Sequence, residues 1–171
     1  IMLNCEGISL IPIENEDLEL LNKWKNDEEV FKYLGGGYRP TSKTQQAKWI
    51  DALTNNTFEN QRYLILDEEN KKVGFIGLYG ISPVHGTASL GIYIGEKESW
   101  GKGIASRAYK ALEEYAKMYL NLRKIRLEVV KDNESAVNMY KKLGFYVCGQ
   151  YKAERFIKGK YRDLLIMEKF I

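Results

Sequence analysis

The sequence has few of the residues that bind metal ions or form covalent intermediates. It contains one histidine, His85, and two cysteines, Cys5 and Cys148. A single histidine excludes a multi-histidine metal centre, and the cysteines fit no metal-ligand spacing, so no metal is expected. Neither cysteine has a histidine nearby in the sequence, which disfavours a covalent mechanism. We expect a cytoplasmic protein, in which both thiols stay reduced.

Long apolar runs are also absent. No stretch of about 18 apolar residues occurs, which excludes an ordinary membrane-spanning helix. The N-terminus has no basic stretch followed by an apolar one, so we expect no secretory signal. Ile1 precedes Met2, and we expect Ile1 to be a vector remnant and Met2 the natural start. A length of 171 residues suffices for one domain with a full core, and we predict a single domain over 2–171.

The net charge is only +3, which is too small to indicate a nucleic-acid partner. Its distribution is uneven. Residues 1–85 carry 9 basic and 13 acidic side chains, a net of −4, whereas residues 86–171 carry 17 and 10, a net of +7. A basic half suits a polyanionic ligand and an acidic half suits a cationic one, but scattered surface charge explains the pattern equally well.

Hydrophobic periodicity divides the chain into strand and helix patterns. Strands are predicted over 3–13, 63–67, 73–79, 87–95, 124–130, 145–157 and 161–170. Helices are predicted after Asn15, over 27–34, after Thr41 or Ser42, over 103–120 and over 134–143. About seven strands and four or five helices in this order indicate an α/β (α+β) fold with a mixed, mostly antiparallel sheet flanked by helices. The loop Gly35–Gly37 is either a lid over a substrate or an ordinary surface loop.

A phosphate-binding turn is predicted where the strand over 87–95 leads into the long helix. Free N–H groups at a helix start and the positive end of the helix dipole together bind phosphate. Gly101 and Gly103 let the main chain approach a diphosphate without an intervening Cβ, and Lys102 adds a positive charge. We therefore expect main-chain amides around Gly101 to Ala105 to hold a diphosphate.

Besides the diphosphate site, two interpretations of this turn remain, a dinucleotide fingerprint and a purely structural turn. A Walker loop is excluded because its pattern is missing. A dinucleotide fingerprint is disfavoured because Ser106 stands at its third glycine position and Glu128 lies inside the next strand, not at its end. A purely structural Gly-x-Gly turn would serve equally well if the segment stood alone.

Two blocks resemble a known superfamily. Gly101 and Gly103 are similar to the glycines of the GNAT acyl-CoA signature Gln/Arg-x-x-Gly-x-Gly/Ala, although Glu98 replaces the Gln or Arg. The block from Asn133 to Phe145 resembles the Asn-x-x-Ala-x-x-x-Tyr-x-Lys-x-Gly-Phe of the same superfamily. The segment 156–163, Phe-Ile-Lys-Gly-Lys-Tyr-Arg-Asp, looks like that of the spermidine N-acetyltransferases and ribosomal-protein N-terminal acetyltransferases.

The resemblance implies a GNAT fold, in which the sheet splays into a V between the strands over 87–95 and 124–130 and holds acetyl-CoA there. The expected activity is direct acetyl transfer to a primary amine. The acceptor is a polyamine such as spermidine, or alternatively a ribosomal-protein N-terminus or an amino sugar. The other class left open is a non-catalytic CoA-binding regulator. Acceptor-side elements are expected over 15–58 and the acetyl-CoA-binding core over 87–145, with no nucleic acid or membrane partner and with homo-oligomerisation left open.

Individual roles also follow from the resemblance. Tyr140 is the expected general acid for the departing thiolate, because a phenol with a pKa of about 10 can donate a proton. The expected cofactor contacts are Ile92, Tyr93, Ile94, Trp100, Gly101, Lys102, Gly103, Ile104, Ala105, Ser106, Asn133, Ala136 and Lys142.

For several of these residues an ordinary structural role explains the sequence as well. Asn133 would serve as a helix N-cap, Lys142 as an exposed lysine, and Ile92 to Ile94 as strand packing.

The general base is not evident from the sequence. Related enzymes often have a Glu where this chain has Ser89, and His85 lies just upstream; histidine is a residue type that often serves as a general base. His85 is therefore one candidate for the base, and a chain of water molecules is another. Glu28 or Glu29 would help by binding a cationic acceptor.

Overall fold

The computed structural model describes residues 3–171 and contains one sheet of eight strands. Numbered along the chain, the strands are β1 Leu3–Cys5, β2 Ile8–Pro12, β3 Gln61–Leu66, β4 Lys72–Ser82, β5 Thr87–Ile94, β6 Lys124–Val130, β7 Tyr146–Ile157 and β8 Lys160–Phe170. They lie in the order β1-β2-β3-β4-β5-β6-β8-β7. All neighbouring strands are antiparallel except β5 and β6. The predicted mixed, mostly antiparallel α/β fold is therefore confirmed.

The helices are α1 Leu18–Lys25, α2 Glu28–Phe31, α3 Lys43–Ala47, α4 Ile50–Thr54, α5 Ile104–Tyr119 and α6 Glu134–Lys142. Short 3₁₀ turns cover Asn15–Asp17 and Lys97–Ser99. None of the helices within residues 3–171 is long and apolar enough to cross a membrane.

Two local predictions are wrong, and both errors concern turns. The single strand predicted over 3–13 is a hairpin, because Glu6 and Gly7 adopt left-handed φ values of 47° and 85° and reverse the chain. This hairpin gives the sheet its eighth strand. Asn15 does not cap α1 but lies inside the preceding 3₁₀ turn, where the carboxylate of Asp17 accepts a hydrogen bond from Glu14 N at 2.9 Å. Ser42 does cap α3, since its Oγ accepts from Gln45 N at 3.1 Å.

The sheet has a separate apolar core on each face. Successive side chains of a strand point to opposite faces, so Ile65 packs with one core and Leu64 with the other. The larger core includes the apolar face of α5, which packs on β1, β2, β4 and β5. The smaller core joins Leu64 and Phe75 to Leu21 and Trp24 of α1. The helices that follow β2 are thereby fixed on the face opposite α5.

The sheet opens between its two parallel strands. The register of β5 with β6 contains three pairs, from Thr87 with Lys124 to Ser89 with Arg126. Beyond Ser89, β5 continues to pair with β4 as far as Ile94, whereas β6 continues to pair with β8. The two strands therefore diverge as the resemblance implied, and they leave a wedge between them.

Candidate active site

A cavity of about 730 Å³ opens at this wedge. Its walls combine the diverging ends of β5 and β6, the first turns of α6, and side chains from the segment between β2 and β3. Ser89 to Tyr93 line it from β5, and Arg126 to Val129 line it from β6. The segment predicted to bind the acceptor and the strands predicted to bind the cofactor therefore border one continuous space.

The wedge leaves the main chain of β5 unpaired on one side. Gly91 to Ile94 pair with β4 but have no partner in β6. The side chain of Tyr93 is held by aromatic packing, stacked on Phe75 with ring centroids 5.3 Å apart and edge-on to Trp24 at 6.0 Å. Because packing fixes this side chain, the free main-chain edge is well placed to pair with an extended ligand that contains amides.

The predicted phosphate turn has the backbone geometry that its glycines favour. Gly101 and Gly103 have φ values of 75° and 71°, and a Cβ added to either would meet no atom within 4 Å. Within residues 3–171, none of the N–H groups of residues 101–106 donates to a protein acceptor. These amides stand at the start of a 16-residue helix, so the turn offers unpaired donors and a positive dipole to an anion.

Arg107 orients this turn, a role that its sequence position on the polar face of α5 did not reveal. Its guanidinium donates to Lys102 O at 2.9 Å and to Gly103 O at 3.3 Å, and also to Glu6 O at 3.0 Å. Within a trans peptide the C=O and the following N–H point in opposite directions. Since the two carbonyls face Arg107, the N–H groups of Gly103 and Ile104 point away from it, towards the ligand side.

The residue that departs from the signature has a local partner. The carboxylate of Glu98 lies 2.8 Å from Lys71 Nζ, and this ammonium lowers the pKa of the exposed Glu98 carboxyl. The ion pair joins the 3₁₀ turn before the phosphate turn to the β3–β4 turn. Trp100, partly exposed, is held nearby because its Nε1 donates to Ile94 O at 2.9 Å.

Tyr140 lies in the wall of the cavity and is 7% exposed. Its ring packs edge-on against Phe145, with centroids 5.6 Å apart. Its hydroxyl makes no hydrogen bond to any residue in the described part of the chain. The sequence argument assumed an ordinary phenol, but burial raises the pKa of Tyr140 well above its usual value. The phenol is therefore protonated throughout the neutral range, as a proton donor must be.

The structure brings some of the other predicted residues to the cavity and not others. Asn133 and Ala136 line it. Asn133 occupies the N-cap position of α6, but its side chain accepts from Ser135 Oγ at 3.5 Å and not from a helix N–H. Ile94, Trp100 and the phosphate turn lie outside the cavity wall, and Lys142 is exposed outside it as well.

His85, which stays a prediction for the general base, does not line the cavity. It is exposed in the β4–β5 turn, and its carbonyl accepts from Arg123 Nε at 2.8 Å. β5 reaches the cavity only from Ser89 onward. His85 precedes Thr87, where β5 begins, so its closeness to Ser89 in sequence does not bring it to the cavity wall.

The charged residues of the cavity wall are mostly cationic. The cations are Lys25, Arg62, Arg126 and Arg155, and the one carboxylate in this wall is Glu128. Glu128 lies 3.6 Å from Arg155 NH2. Sequence reasoning missed Glu128 because it treated the residue only as the interior of a strand. The clue available in the sequence was that β6 borders the expected splay.

The two acidic residues proposed from sequence lie elsewhere. Glu28 contacts Lys158 Nζ at 3.5 Å, and Glu29 lies 4.0 Å from Lys97 Nζ. Glu28 instead borders a second cavity of about 430 Å³, between the loop Gly35–Gly37 and the end of β7. Gly35 lines both cavities, so this loop lies at their junction.

These features define an acyl-transfer enzyme of the type that binds a diphosphate-containing thioester in a splayed sheet. A family model described as "Acetyltransferase (GNAT) domain" matches residues 8–146. The chain belongs to this GNAT family of acetyltransferases. The predicted activity, an acetyl-CoA-dependent N-acetyltransferase, is thereby confirmed.

The chain is also similar to named polyamine enzymes along most of its length. It is 33% identical over 167 residues to the spermidine N(1)-acetyltransferase of Escherichia coli (strain K12), covering 97% of this chain and 87% of the other. It is 27% identical over 157 residues to the spermidine N(1)-acetyltransferase of Vibrio cholerae, covering 92% and 89%. The crystal structure of a spermidine N-acetyltransferase from Vibrio cholerae in complex with CoA and spermine superimposes with a TM-score of 0.85 at 27% identity, covering 96% and 95%.

Proposed function

We propose that this enzyme acetylates a primary amine of a polyamine of the spermidine type. The observation that carries the proposal is the continuous cavity between the cofactor strands and the segment 15–58. The similarity to spermidine N-acetyltransferases along 97% of the chain supports the choice of acceptor. We retain residues 15–58 as the acceptor side and 87–145 as the cofactor core.

In the proposed mechanism the phosphate turn holds the diphosphate of acetyl-CoA, and the free edge of β5 pairs with the pantetheine amides. This arrangement places the thioester in the wedge beside Tyr140. The amine nitrogen attacks the thioester carbonyl, so that a C–N bond forms and the C–S bond breaks. The departing thiolate takes the phenolic proton of Tyr140, the nitrogen of the new amide loses its second proton to water in the cavity, and the phenolate regains a proton from solvent.

The acceptor must lose a proton before it attacks, and the chain offers no histidine in the cavity for this step. We propose that Glu128 attracts the acceptor's ammonium and that water in the cavity carries the proton to bulk solvent. We propose that the loop Gly35–Gly37, which borders both cavities, closes over the acceptor as a lid. Cytoplasmic location stays a prediction.

The cationic wall favours a second candidate acceptor. Lys25, Arg62 and Arg126 have no carboxylate within ion-pairing distance in the described chain. Such a wall suits an amine that carries a negative group, among them an amino sugar phosphate, better than it suits a polycation.

A screen of thiol release decides between the two acceptors. Purified protein with acetyl-CoA is offered spermidine, spermine, glucosamine, glucosamine phosphate and a peptide with a free N-terminus, and kcat/KM is measured for each. We expect spermidine to give the highest value. A higher kcat/KM for glucosamine phosphate would transfer the assignment to an anionic acceptor.

A further inference from the structure

Gln46 is the one buried amide in residues 3–171 whose polar atoms lack a protein partner. It is 5% exposed, and its Oε1 is buried with no hydrogen bond. The other buried amides are satisfied: Asn22 donates to Thr41 O at 2.9 Å, and Gln61 Oε1 accepts from Tyr63 and Tyr115. A buried amide without a partner is destabilising, so its presence needs an explanation.

The side chain of Gln46 borders the large cavity from α3. The backbone at the start of α3 is held firmly. Asn26 makes two hydrogen bonds to Thr41, the residue before the N-cap Ser42: its Nδ2 donates to Thr41 O at 2.8 Å and its Oδ1 accepts from Thr41 N at 2.6 Å. Because α3 is fixed in this way, Gln46 is kept at the cavity wall, with its Oε1 covered by protein atoms and without a hydrogen bond in the described chain.

The same side of the cavity already accommodates an ammonium group. Lys25 Nζ lies 4.8 Å from the ring centroid of Phe31 and 5.9 Å from that of Trp49. Both rings line the cavity together with Gln46. Aromatic faces attract cations, and these two already hold the Lys25 ammonium, so the polar group of this wall that stays available to an amine N–H is the Gln46 amide oxygen.

We propose that Gln46 is a binding residue for the acceptor, and that its amide turns towards the cavity so that Oε1, which protein atoms cover in this structure, accepts a hydrogen bond from an amine or ammonium N–H of the bound polyamine. The proposal rests on the proposed function for the acceptor class. It explains why the amide is buried without a partner, because the substrate supplies that partner. Gln46 sets acceptor affinity and takes no part in the proton transfers.

The variant Gln46→Met tests this role, because methionine has similar length and volume but no amide. We expect the KM for spermidine to rise about tenfold, equivalent to about 1.4 kcal/mol, while the KM for acetyl-CoA is unchanged. The melting temperature should stay the same or rise, because an unpaired polar group is removed from a buried site. Gln46→Glu, which restores an oxygen acceptor, should return the KM for spermidine to the wild-type value or below.

The neighbouring Gln45→Met is the matched control, since Gln45 lies on the same helix but does not line the cavity. Its KM values should match wild type. An unchanged spermidine KM in Gln46→Met, or a melting temperature several degrees lower, would overturn the proposal. If wild type does not acetylate spermidine, the proposed acceptor fails, and the same three variants are compared with the best amine of the screen; an unchanged KM there also rejects the role of Gln46.

Discussion

Tyr140 is the residue on which the proposed chemistry depends most directly. Its hydroxyl has no hydrogen-bond partner among residues 3–171, so Tyr140→Phe should leave the melting temperature and the KM for acetyl-CoA almost unchanged. We expect kcat to fall about 100-fold, the scale of a lost general acid. Steady-state kinetics and a thermal melt on the same preparation check both statements. Undiminished turnover would remove Tyr140 from the mechanism.

The pH dependence of Tyr140 follows from its burial. Burial raises the folded-state pKa above the usual value of about 10, so the protonated phenol persists to higher pH than in a free tyrosine. The alkaline limb of kcat should therefore stay flat to pH 10. The contribution of Tyr140 to the free energy of unfolding has the matching sign. It is present below the pKa of the unfolded state and is lost as pH rises towards the pKa of the folded state. Comparing the stopped-flow pH–rate profile of wild type with that of Tyr140→Phe shows which part of the alkaline limb of kcat depends on Tyr140.

At the scale of elements, a substitution at Gly103 tests the role of the junction between β5 and α5. Gly103→Ala places a Cβ in the open space before the helix and strains a residue with φ of 71°. We expect about 1 kcal/mol of lost stability and a KM for acetyl-CoA about tenfold higher, since the Cβ enters the diphosphate space. Denaturant unfolding and initial-rate kinetics measure the two effects.

Gly159→Ala provides the control for backbone strain. Gly159 has φ of 78° and open space around its missing Cβ, but it lies in the β7–β8 turn, away from the phosphate turn. The two variants should lose similar stability, and only Gly103→Ala should lose cofactor affinity. Equal effects on the KM for acetyl-CoA would argue that the turn does not contact the diphosphate.

At the scale of the whole molecule, the coenzyme should stabilise the fold by bridging the wedge. The two halves of the sheet meet through only three register pairs of β5 and β6. A ligand bound to the native state alone at about 100 times its Kd adds about 2.7 kcal/mol, which raises the melting temperature of a chain of this length by about 5–10 °C. CoA should produce this shift, and NADH should not. A shift with NADH would revive the dinucleotide interpretation.

Oxidative cross-linking within the chain is not expected. The two cysteines are free and lie on β1 and β7, which are the opposite edge strands of the sheet. A disulfide requires Cα atoms within about 7 Å of each other, and six strands separate these two.

Much of the fold was predictable because its signals are local. The apolar spacing of 103–120 predicted α5 to within a residue at each end, and the cap at Ser42 followed from one hydroxyl. The hairpin over 3–12 was missed because Glu6, before Gly7, was not recognised as a left-handed turn residue inside a run that otherwise looks continuous.

The candidate site was predictable from the sequence only at positions where a motif corresponds to a specific backbone conformation. Gly101 and Gly103 indicated their left-handed turn because few other residues adopt it readily. His85 does not line the cavity, and its sequence position did not reveal this because sequence spacing alone does not say where the strands separate. The splay begins only after Ser89, and that point is set by pairing between strands.

By itself, the sequence determined the order of the elements after the first hairpin, the glycine turn before α5 as a candidate phosphate site, and Tyr140 as the proton donor to test. The reason is that helical periodicity, turn chemistry and motif spacing act over a few neighbouring residues. Tertiary structure alone decided which side chains share the cavity and which cations lie there unpaired. It also decided that Arg107 reaches back 101 residues to Glu6 and that the amide of Gln46 has no partner. Those facts depend on contacts between distant segments, and burial and packing fix such contacts only once the chain has folded.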